Sequence, residues 1–208
     1  MKRYIKLLLS LTLAGFMSTV MADVAPDEMV KSIAHDVLET IKNDKDIQAG
    51  DEKRVSEVAE EKILPNFNFD RVSRMVLGKN WSSATKEQQM AFQNEFKDLL
   101  LHTYASALTK YRGQTINFKP LRAQPGAKEV TVKSEIVQPG GQPIAVDYSL
   151  EKGANGWKVY DIIIEGVSLV TNYRSQFSNE VRQNGMDGLI QKLVTKNQQA
   201  GSSKTSAN

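Results

Sequence analysis

Residues 157–177 read WKVYDIIIEGVSLVTNYRSQF, and this stretch predicts a buried strand that leads directly into a helix. The β-branched run at 162–164 favours a buried strand. Gly166 then interrupts the pattern, and Ser168 offers an N-cap oxygen to the helix that follows. After it, apolar residues recur at helical spacing. A strand with a helix docked beside it is typical of the core of an α+β domain, which is the fold class we predict.

The chain before this stretch alternates apolar and polar residues, which predicts further strands. The alternation is clearest over 144–151, where IAVDYSLE places every second residue on one face. The turn sequences PGGQP (139–143) and GANG (153–156) separate neighbouring strands. We therefore predict a twisted, mostly antiparallel, four-stranded sheet over about 114–165, with one apolar face.

The N-terminal half, about 26–112, has the apolar spacing of amphipathic helices and predicts a helical subdomain. Thr85 to Gln88 match a capping box, which begins a long helix. The apolar stripe of that helix is wider than a surface helix needs, so we expect it to be covered on two sides or to face something else apolar. The apolar face of the sheet is the expected neighbour on one of them.

Two C-terminal helices are expected over about 168–197, with Gly185 between them. Residues 198–208 have no apolar content that would order them, so they predict a disordered tail. We expect residues 23–197 to form a single domain.

The first 22 residues predict an export signal. Three basic residues precede an apolar run that is too short to span a bilayer. Cleavage is expected after Ala22, with an uncleaved anchor as the alternative. The chain has no Cys, which excludes a lipoprotein anchor and disulfide bonds. We therefore expect a soluble protein of the periplasm, with secretion beyond the cell as the alternative.

Charge excludes one broad class of partner. The chain has 27 basic and 24 acidic side chains, and three of the basic ones lie in the export signal, which leaves 24 of each sign. A protein that binds nucleic acid without sequence specificity needs a clustered positive field. No such cluster is visible in the sequence, so we expect no nucleic-acid partner.

The sequence offers little for catalysis. Both histidines fall on polar helix faces, and there is no G-x-S-x-G elbow and no spacing of metal ligands. We therefore predict no catalytic residue, no metal and no cofactor. One possibility stays open, because Asp161 and Glu165 are predicted to share a strand face with Val159 and Ile163, which would leave a carboxylate partly buried.

Two segments near the C-terminus, YDIIIEGVSLVTNYRSQF (160–177) and NGMDGLIQKL (184–193), strongly resemble the toluene-tolerance or MlaC family. The segment LGKNWSSATKEQQMAFQNEFKDLLLHTYASALTKYRGQ (77–114) resembles the long-helix region of the same family. The resemblance covers nearly all of the chain after the export signal. It implies an NTF2-like sheet packed against a helical subdomain, with an apolar pocket between them.

The resemblance also implies a function and partners. It predicts a phospholipid carrier that moves lipid between an outer-membrane lipoprotein and porin complex and an inner-membrane ABC transporter with an MCE-domain subunit. Such transfer would maintain the lipid asymmetry of the outer membrane. The bound phospholipid is the only ligand expected, and we expect a monomer. A chaperone-like module that shields apolar segments of other proteins would leave the same sequence pattern, and an NTF2-like enzyme is a further alternative.

A lipid cargo requires a large apolar surface. A diacyl lipid carries roughly 30 methylenes at about 0.8 kcal/mol each, so its transfer through water costs on the order of 20 kcal/mol. The apolar sheet face and the stripe of the long helix are the only surfaces large enough. The predicted lipid-binding residues are Phe92, Phe96, Leu99, Tyr104, Phe118, Val132, Val146, Tyr148, Ile162, Ile164, Val170 and Tyr173.

Each of these side chains is equally suited to ordinary core packing, and that alternative stays open. Lys110, Arg112 and Arg174 lie beside the apolar stripes and are the predicted contacts of the lipid head group. Solvated charges at helix ends are the alternative for these three.

Overall fold

The computed structural model describes residues 24–109, 113–138 and 140–202. The predicted export signal, Lys110 and Arg112 lie outside the described residues. The helices are α1 (Pro26–Asn43), α2 (Lys45–Gln48), α3 (Glu52–Lys62), α4 (Phe69–Leu77), α5 (Lys79–Ser83), α6 (Lys86–Thr109) and α7 (Leu169–Ser202), with a 3₁₀ turn (Leu64–Asn66) between α3 and α4. The strands are β1 (Thr115–Phe118), β2 (Glu129–Val137), β3 (Ile144–Gly153), β4 (Gly156–Ile164) and β5 (Val167–Ser168). The predicted α+β class is confirmed.

The strands form one antiparallel sheet in the order β1-β2-β3-β4-β5. The described sheet therefore has five strands, where four were predicted. The additional strand is short, and it exists because Glu165 and Gly166 form a two-residue turn with positive φ angles of 49° and 79°. This turn folds Val167 back onto Ile164.

A β-bulge in β4 changes which side chains share a face. Leu150 pairs with Val159 and Ser149 pairs with Asp161, so Tyr160 has no partner across the strand. The alternation therefore shifts by one residue at Tyr160. Asp161 lies on the face opposite Val159, and the prediction that these two residues share a face is wrong for this reason.

The other consequence of the bulge is a continuous apolar face across four strands. On β4 both sides of the bulge contribute to it, because Val159 precedes the shift and Ile162 and Ile164 follow it. Cross-strand pairing places the following side chains on this face: Ile116, Phe118, Val130, Val132, Ile136, Ile144, Val146, Tyr148, Leu150, Val159, Ile162 and Ile164.

The long helix α6 is covered on two sides, as predicted, but both covers are helical. One side packs with α4, α5 and α7, and the other packs with α1, α2 and α3. The capping box at its start is confirmed, because the Thr85 backbone N–H donates to Gln88 Oε1 at 3.0 Å and the Gln88 N–H donates to Thr85 Oγ1 at 3.2 Å.

The cover of the sheet comes from elsewhere. Val30 and Met29 of α1, with Phe67 and Leu121, pack onto the buried patch of the apolar face. Among the described residues, α6 contributes no side chain to this cluster. The prediction that α6 covers the sheet is therefore wrong, because its aromatic side chains are used in the helical cores.

The C-terminal helix α7 bends at Gly185, whose φ of 72° and ψ of −178° are not helical. This agrees with the two helices predicted on either side of that glycine. The second part extends through Ser202, beyond the residue at which the tail was expected to begin. Near this end the Asn197 side-chain amide donates to the backbone oxygen of Glu95 at 2.9 Å and to its Oε2 at 2.8 Å. Residues 203–208 lie outside the described part.

An ion-pair network joins the helical subdomain to the sheet. The guanidinium of Arg71, on α4, donates to Glu151 Oε2 at 2.6 Å and to Glu129 Oε1 at 2.8 Å. It also stacks on the Tyr160 ring, with its central carbon 3.6 Å from the ring centroid. The Asn68 side chain donates to the other oxygen of Glu151 at 2.7 Å. These contacts fix α4 against β2, β3 and β4.

Candidate functional site

The apolar face of the sheet is closed at one end and open at the other. At the closed end, Leu150 and Val159 are 0% and 3% exposed beneath the residues of α1. At the other end, the side chains are only partly buried, although they are as apolar as those at the closed end. We call this part the open apolar end, and it consists of Ile116, Ile136, Ile144 and Ile164.

Strand pairing makes the open apolar end continuous. Ile116 pairs with Ile136, and Ile136 pairs with Ile144. Ile164 pairs with Val146, which lies two residues from Ile144 on the same face of β3. The result is a β-branched surface across β1 to β4 that the described residues do not fully cover. Such a surface can bind an apolar ligand without any change in the sheet.

A small polar residue separates the two ends. Ser134 lies between Val132 and Ile136 on β2, and it is 1% exposed. Its hydroxyl donates to the backbone oxygen of Val146 at 2.9 Å, so the buried hydroxyl is satisfied. The Tyr148 phenol is close by: burial raises its pKa, and its hydrogen bond with Ser134 lowers it in part. Tyr148 is therefore neutral and presents its ring to the face.

The structure brings the predicted lipid-binding residues of the strands onto one face. These are Phe118, Val132, Val146, Tyr148, Ile162 and Ile164. Val132 is fully buried, whereas Ile162 and Ile164 are partly exposed. Contact of these residues with lipid stays a prediction.

The predicted residues of the helices lie in a different place. Phe92 and Phe96 stack at 5.4 Å between ring centroids, and Phe96 meets the Tyr173 ring edge-on at 5.1 Å. With Leu99 and Val170 they belong to the core that α4, α5, α6 and α7 share. Phe92 is 0% exposed, whereas a side chain that lines an empty cavity wide enough for an acyl chain would be exposed to water. Lipid contact of these residues also stays a prediction, and the core-packing alternative accounts for their surroundings.

Tyr104 and Tyr173 form a pair between α6 and α7. Burial, together with the neighbouring Tyr104 phenol, raises the pKa of Tyr173 to about 12, and a hydrogen bond with Thr103 opposes this shift. Tyr104 is half-buried. Tyr173 is therefore neutral over the physiological range, so it can hydrogen-bond but cannot supply a charge to a head group.

Sequence reasoning did not include three residues of the open apolar end among the candidate ligand contacts: Ile116, Ile136 and Ile144. The alternating pattern identifies each as a strand residue. Their proximity depends on the register of β1, β2 and β3, which the alternation does not specify.

The carboxylates considered for catalysis have structural partners. Asp161 Oδ2 accepts from the Ser168 hydroxyl at 2.5 Å, and its Oδ1 accepts from the Val170 N–H at 3.1 Å. Ser168 Oγ accepts from the Thr171 N–H at 3.0 Å, so Ser168 is the N-cap that the sequence predicted. Glu165 accepts from the Ala145 N–H at the start of β3. Both carboxylates therefore stabilise the connection between the sheet and α7.

Within the part of the chain that the structure describes, no three His, Asp or Glu side chains are close enough to hold a metal ion. No helix in the same part has the length and apolar character needed to cross a membrane.

Arg174, the head-group candidate within the described residues, does not lie at the open apolar end. It is exposed and lines a groove of about 560 Å³ between Gly78 and α7. A larger cavity of about 970 Å³ lies under the β1–β2 loop, where Lys119, Thr131 and Lys133 line it. None of the predicted lipid-binding residues lines either cavity.

Comparison with known proteins identifies the family. The sequence model of the family described as MlaC protein matches residues 31–195, which is most of the chain. The chain belongs to the MlaC family.

Two curated relatives of this MlaC-family chain match along most of their length. The toluene tolerance protein ttg2D of Pseudomonas putida is 28% identical over 176 residues, which cover 84% of this chain and 81% of the relative. The intermembrane phospholipid transport system binding protein MlaC of Haemophilus influenzae is 26% identical over 191 residues, which cover 89% of each chain.

A solved structure is also similar. The phospholipid-binding protein of Ralstonia solanacearum, solved in complex with a phospholipid, superposes with a TM-score of 0.81 and 41% sequence identity. The match covers 86% of this chain and 99% of that one. The α+β fold described above is therefore shared with the Ralstonia solanacearum protein, which was solved with a bound phospholipid.

Proposed function

We propose that this MlaC-family protein is a phospholipid carrier. The acyl chains of the bound phospholipid lie on the open apolar end of the sheet. The observation that carries the proposal is the partly exposed apolar surface formed by Ile116, Ile136, Ile144 and Ile164. The fold that presents this surface is similar to that of a protein solved with a bound phospholipid. Each methylene removed from water contributes about 0.8 kcal/mol to the free energy of binding. An acyl chain therefore binds best where a continuous apolar surface, such as this β-branched one, covers many of its methylenes.

Family membership supports the finer steps of the proposal. The protein is exported to the periplasm, and it carries lipid between an outer-membrane lipoprotein and porin complex and an inner-membrane ABC transporter with an MCE-domain subunit. This transfer maintains the lipid asymmetry of the outer membrane. The protein acts as a binding protein and not as an enzyme, and its ligand is its cargo.

Two isoleucines on β4 provide a matched test. Ile164 lies on the apolar face beside Val146, whereas Ile163 lies on the opposite face beside Asp147. Both are partly buried. We expect Ile164→Asp to reduce co-purifying diacyl phospholipid at least tenfold, because lipid would have to bury an unpaired carboxylate. Ile163→Asp should retain wild-type loading.

The measurement is native mass spectrometry of the exported protein, with thermal unfolding as a check that both variants fold. Equal loss of lipid from both variants would contradict the proposed position. A wild-type protein that carries peptide instead of diacyl lipid would contradict the carrier and support the chaperone-like alternative. Transfer of a fluorescent phospholipid between vesicles, faster with wild type than with Ile164→Asp, tests the transport step.

A further inference from the structure

A groove of about 560 Å³ lies between the α4–α5 junction and the middle of α7. We call it the α7 groove, and it is lined by Leu77, Gly78, Lys79, Asn80, Arg174, Ser178, Val181 and Arg182. None of the four isoleucines of the open apolar end lines it, so it is distinct from the proposed lipid site.

The charges of the α7 groove are all of one sign. Lys79, Arg174 and Arg182 line it and are exposed, and among the residues that the structure describes no acidic side chain lines it. In the described ranges, none of these three cations forms a salt bridge, whereas cations elsewhere, such as Arg54 and Arg71, do. Arg182 is oriented by a 2.5 Å hydrogen bond from its Nη2 to Asn179 Oδ1. Three cations around one concavity repel each other and favour an anionic partner.

Gly78 leaves room for the Arg174 side chain at this groove. Its φ of 56° and ψ of −127° lie in a region that favours glycine. A Cβ at this position would lie 3.2 Å from Arg174 Nη2, so the missing side chain lets the guanidinium rest on the backbone. The groove also has an apolar wall, because Val181 is partly exposed in it above the buried Leu77.

We propose that the α7 groove binds an acidic segment of a partner protein. Carboxylates of the segment would pair with Lys79, Arg174 and Arg182, and an apolar side chain would lie over Val181. The planar guanidinium groups suit carboxylates because each can donate two parallel hydrogen bonds. A concave groove can enclose a protruding polypeptide segment. Contact with a flat bilayer surface would instead require the cations to lie on a flat or convex face of the protein. The proposal does not depend on the identity of the cargo.

The test uses a short synthetic peptide of Asp, Glu and Leu, with a control peptide in which Asn and Gln replace the acids. Binding of the fluorescently labelled peptides is measured by anisotropy at low salt. The groove variant carries Lys79→Glu, Arg174→Glu and Arg182→Glu. The matched variant carries Lys53→Glu, Lys86→Glu and Lys196→Glu, which changes the net charge equally at exposed lysines that form no described salt bridge.

We expect the acidic peptide to bind wild type and to lose about tenfold or more in affinity in the groove variant, because three rim ion pairs become repulsive. The matched variant should stay within about twofold of wild type. Affinity should fall with added salt, since the charges are exposed. Lys79→Gln with Arg182→Gln leaves Arg174 on Gly78 and should give an intermediate loss, which keeps the proposal testable if the triple reversal does not fold.

Three outcomes would overturn the proposal. The first is an equal loss in the groove and matched variants, which would indicate net charge alone. The second is equal binding of the Asn and Gln peptide. The third is preferential binding of anionic phospholipid vesicles or inorganic phosphate through the same three residues, which would indicate a membrane contact or a small-anion site. Native mass spectrometry should find normal lipid loading in the Lys79→Gln with Arg182→Gln variant, which keeps Arg174, so a failure here is distinguishable from a failure of the carrier function.

Discussion

Tyr173 is a buried phenol whose ionisation is coupled to folding. It is 6% exposed, and burial with the neighbouring Tyr104 raises its pKa to about 12. An ordinary tyrosine ionises near a pKa of about 10, so the folded state favours the neutral phenol. This contribution to stability is complete below about pH 10 and is lost as the pH rises through about 12.

We therefore expect the free energy of unfolding to fall by up to about 1.4 kcal/mol per pH unit across this window, in all by roughly 2 to 3 kcal/mol. Urea unfolding from pH 9 to pH 12 measures it. Burial also raises the pKa values of Tyr148 and Tyr160, which add to the slope. Tyr173→Phe isolates the effect, because the variant should lose less stability over this range than wild type. An identical slope for both proteins would show that Tyr173 ionises normally.

At the scale of elements, Arg71 connects α4 to three strands, and Arg74 on the same helix provides a control. Arg71 pairs with Glu129 and Glu151 and has 26% of its side chain exposed. Arg74 forms an ion pair with Asp70, one turn away, lies 5.4 Å from the centroid of the Trp81 ring, against 3.6 Å for Arg71 over Tyr160, and is 57% exposed. Partly buried ion pairs with several partners contribute more than exposed pairs within a helix.

We expect Arg71→Ala to lower the free energy of unfolding by about 2 kcal/mol, because Glu151 loses its guanidinium partner and Tyr160 loses its stacked cation. Arg74→Ala should cost less than about 1 kcal/mol. Chemical denaturation of both variants at neutral pH measures the difference. Equal costs would mean that the network does not join the helical subdomain to the sheet.

Elements were predictable wherever a local signal specifies them. The capping box at Thr85 and Gln88, the N-cap at Ser168 and the bend at Gly185 are each encoded within a few residues, and the structure has them where the sequence placed them. The fifth strand was missed because it is only two residues long. Its turn requires a positive φ at Glu165, which non-glycine residues rarely adopt.

The faces on which side chains lie, and the elements that pack against each other, were less predictable than the helices and strands themselves. The bulge at Tyr160 reverses the alternation of β4, and nothing in the local pattern marks the residue at which this occurs. The aromatic stripe of α6 was equally compatible with a sheet or with other helices as its cover. Phe92 and Phe96 pack in a helical core because α7 returns beside α6, a long-range arrangement that periodicity does not encode.

In the whole molecule, the buried cores lie apart from the two surfaces that we propose for binding. The helical cores and the closed end of the sheet contain the fully buried side chains, whereas the open apolar end and the α7 groove remain accessible. A carrier needs both properties, because its cargo must enter and leave without unfolding the cores. A cargo that binds only the folded state must also stabilise it, by about 2.7 kcal/mol at a free concentration 100 times its Kd.

Removal of the cargo is therefore expected to lower the melting temperature of the wild-type protein. For a chain of this length, about 1 kcal/mol corresponds to roughly 2 to 4 °C, so we expect a decrease of about 5 to 10 °C. Calorimetry before and after solvent extraction and refolding measures it, with Ile163→Asp as a control that should respond like wild type. Ile164→Asp carries little cargo in this proposal, so extraction should leave its melting temperature nearly unchanged. If extraction lowers the melting temperatures of Ile164→Asp and wild type equally, the stabilising ligand does not contact the open apolar end.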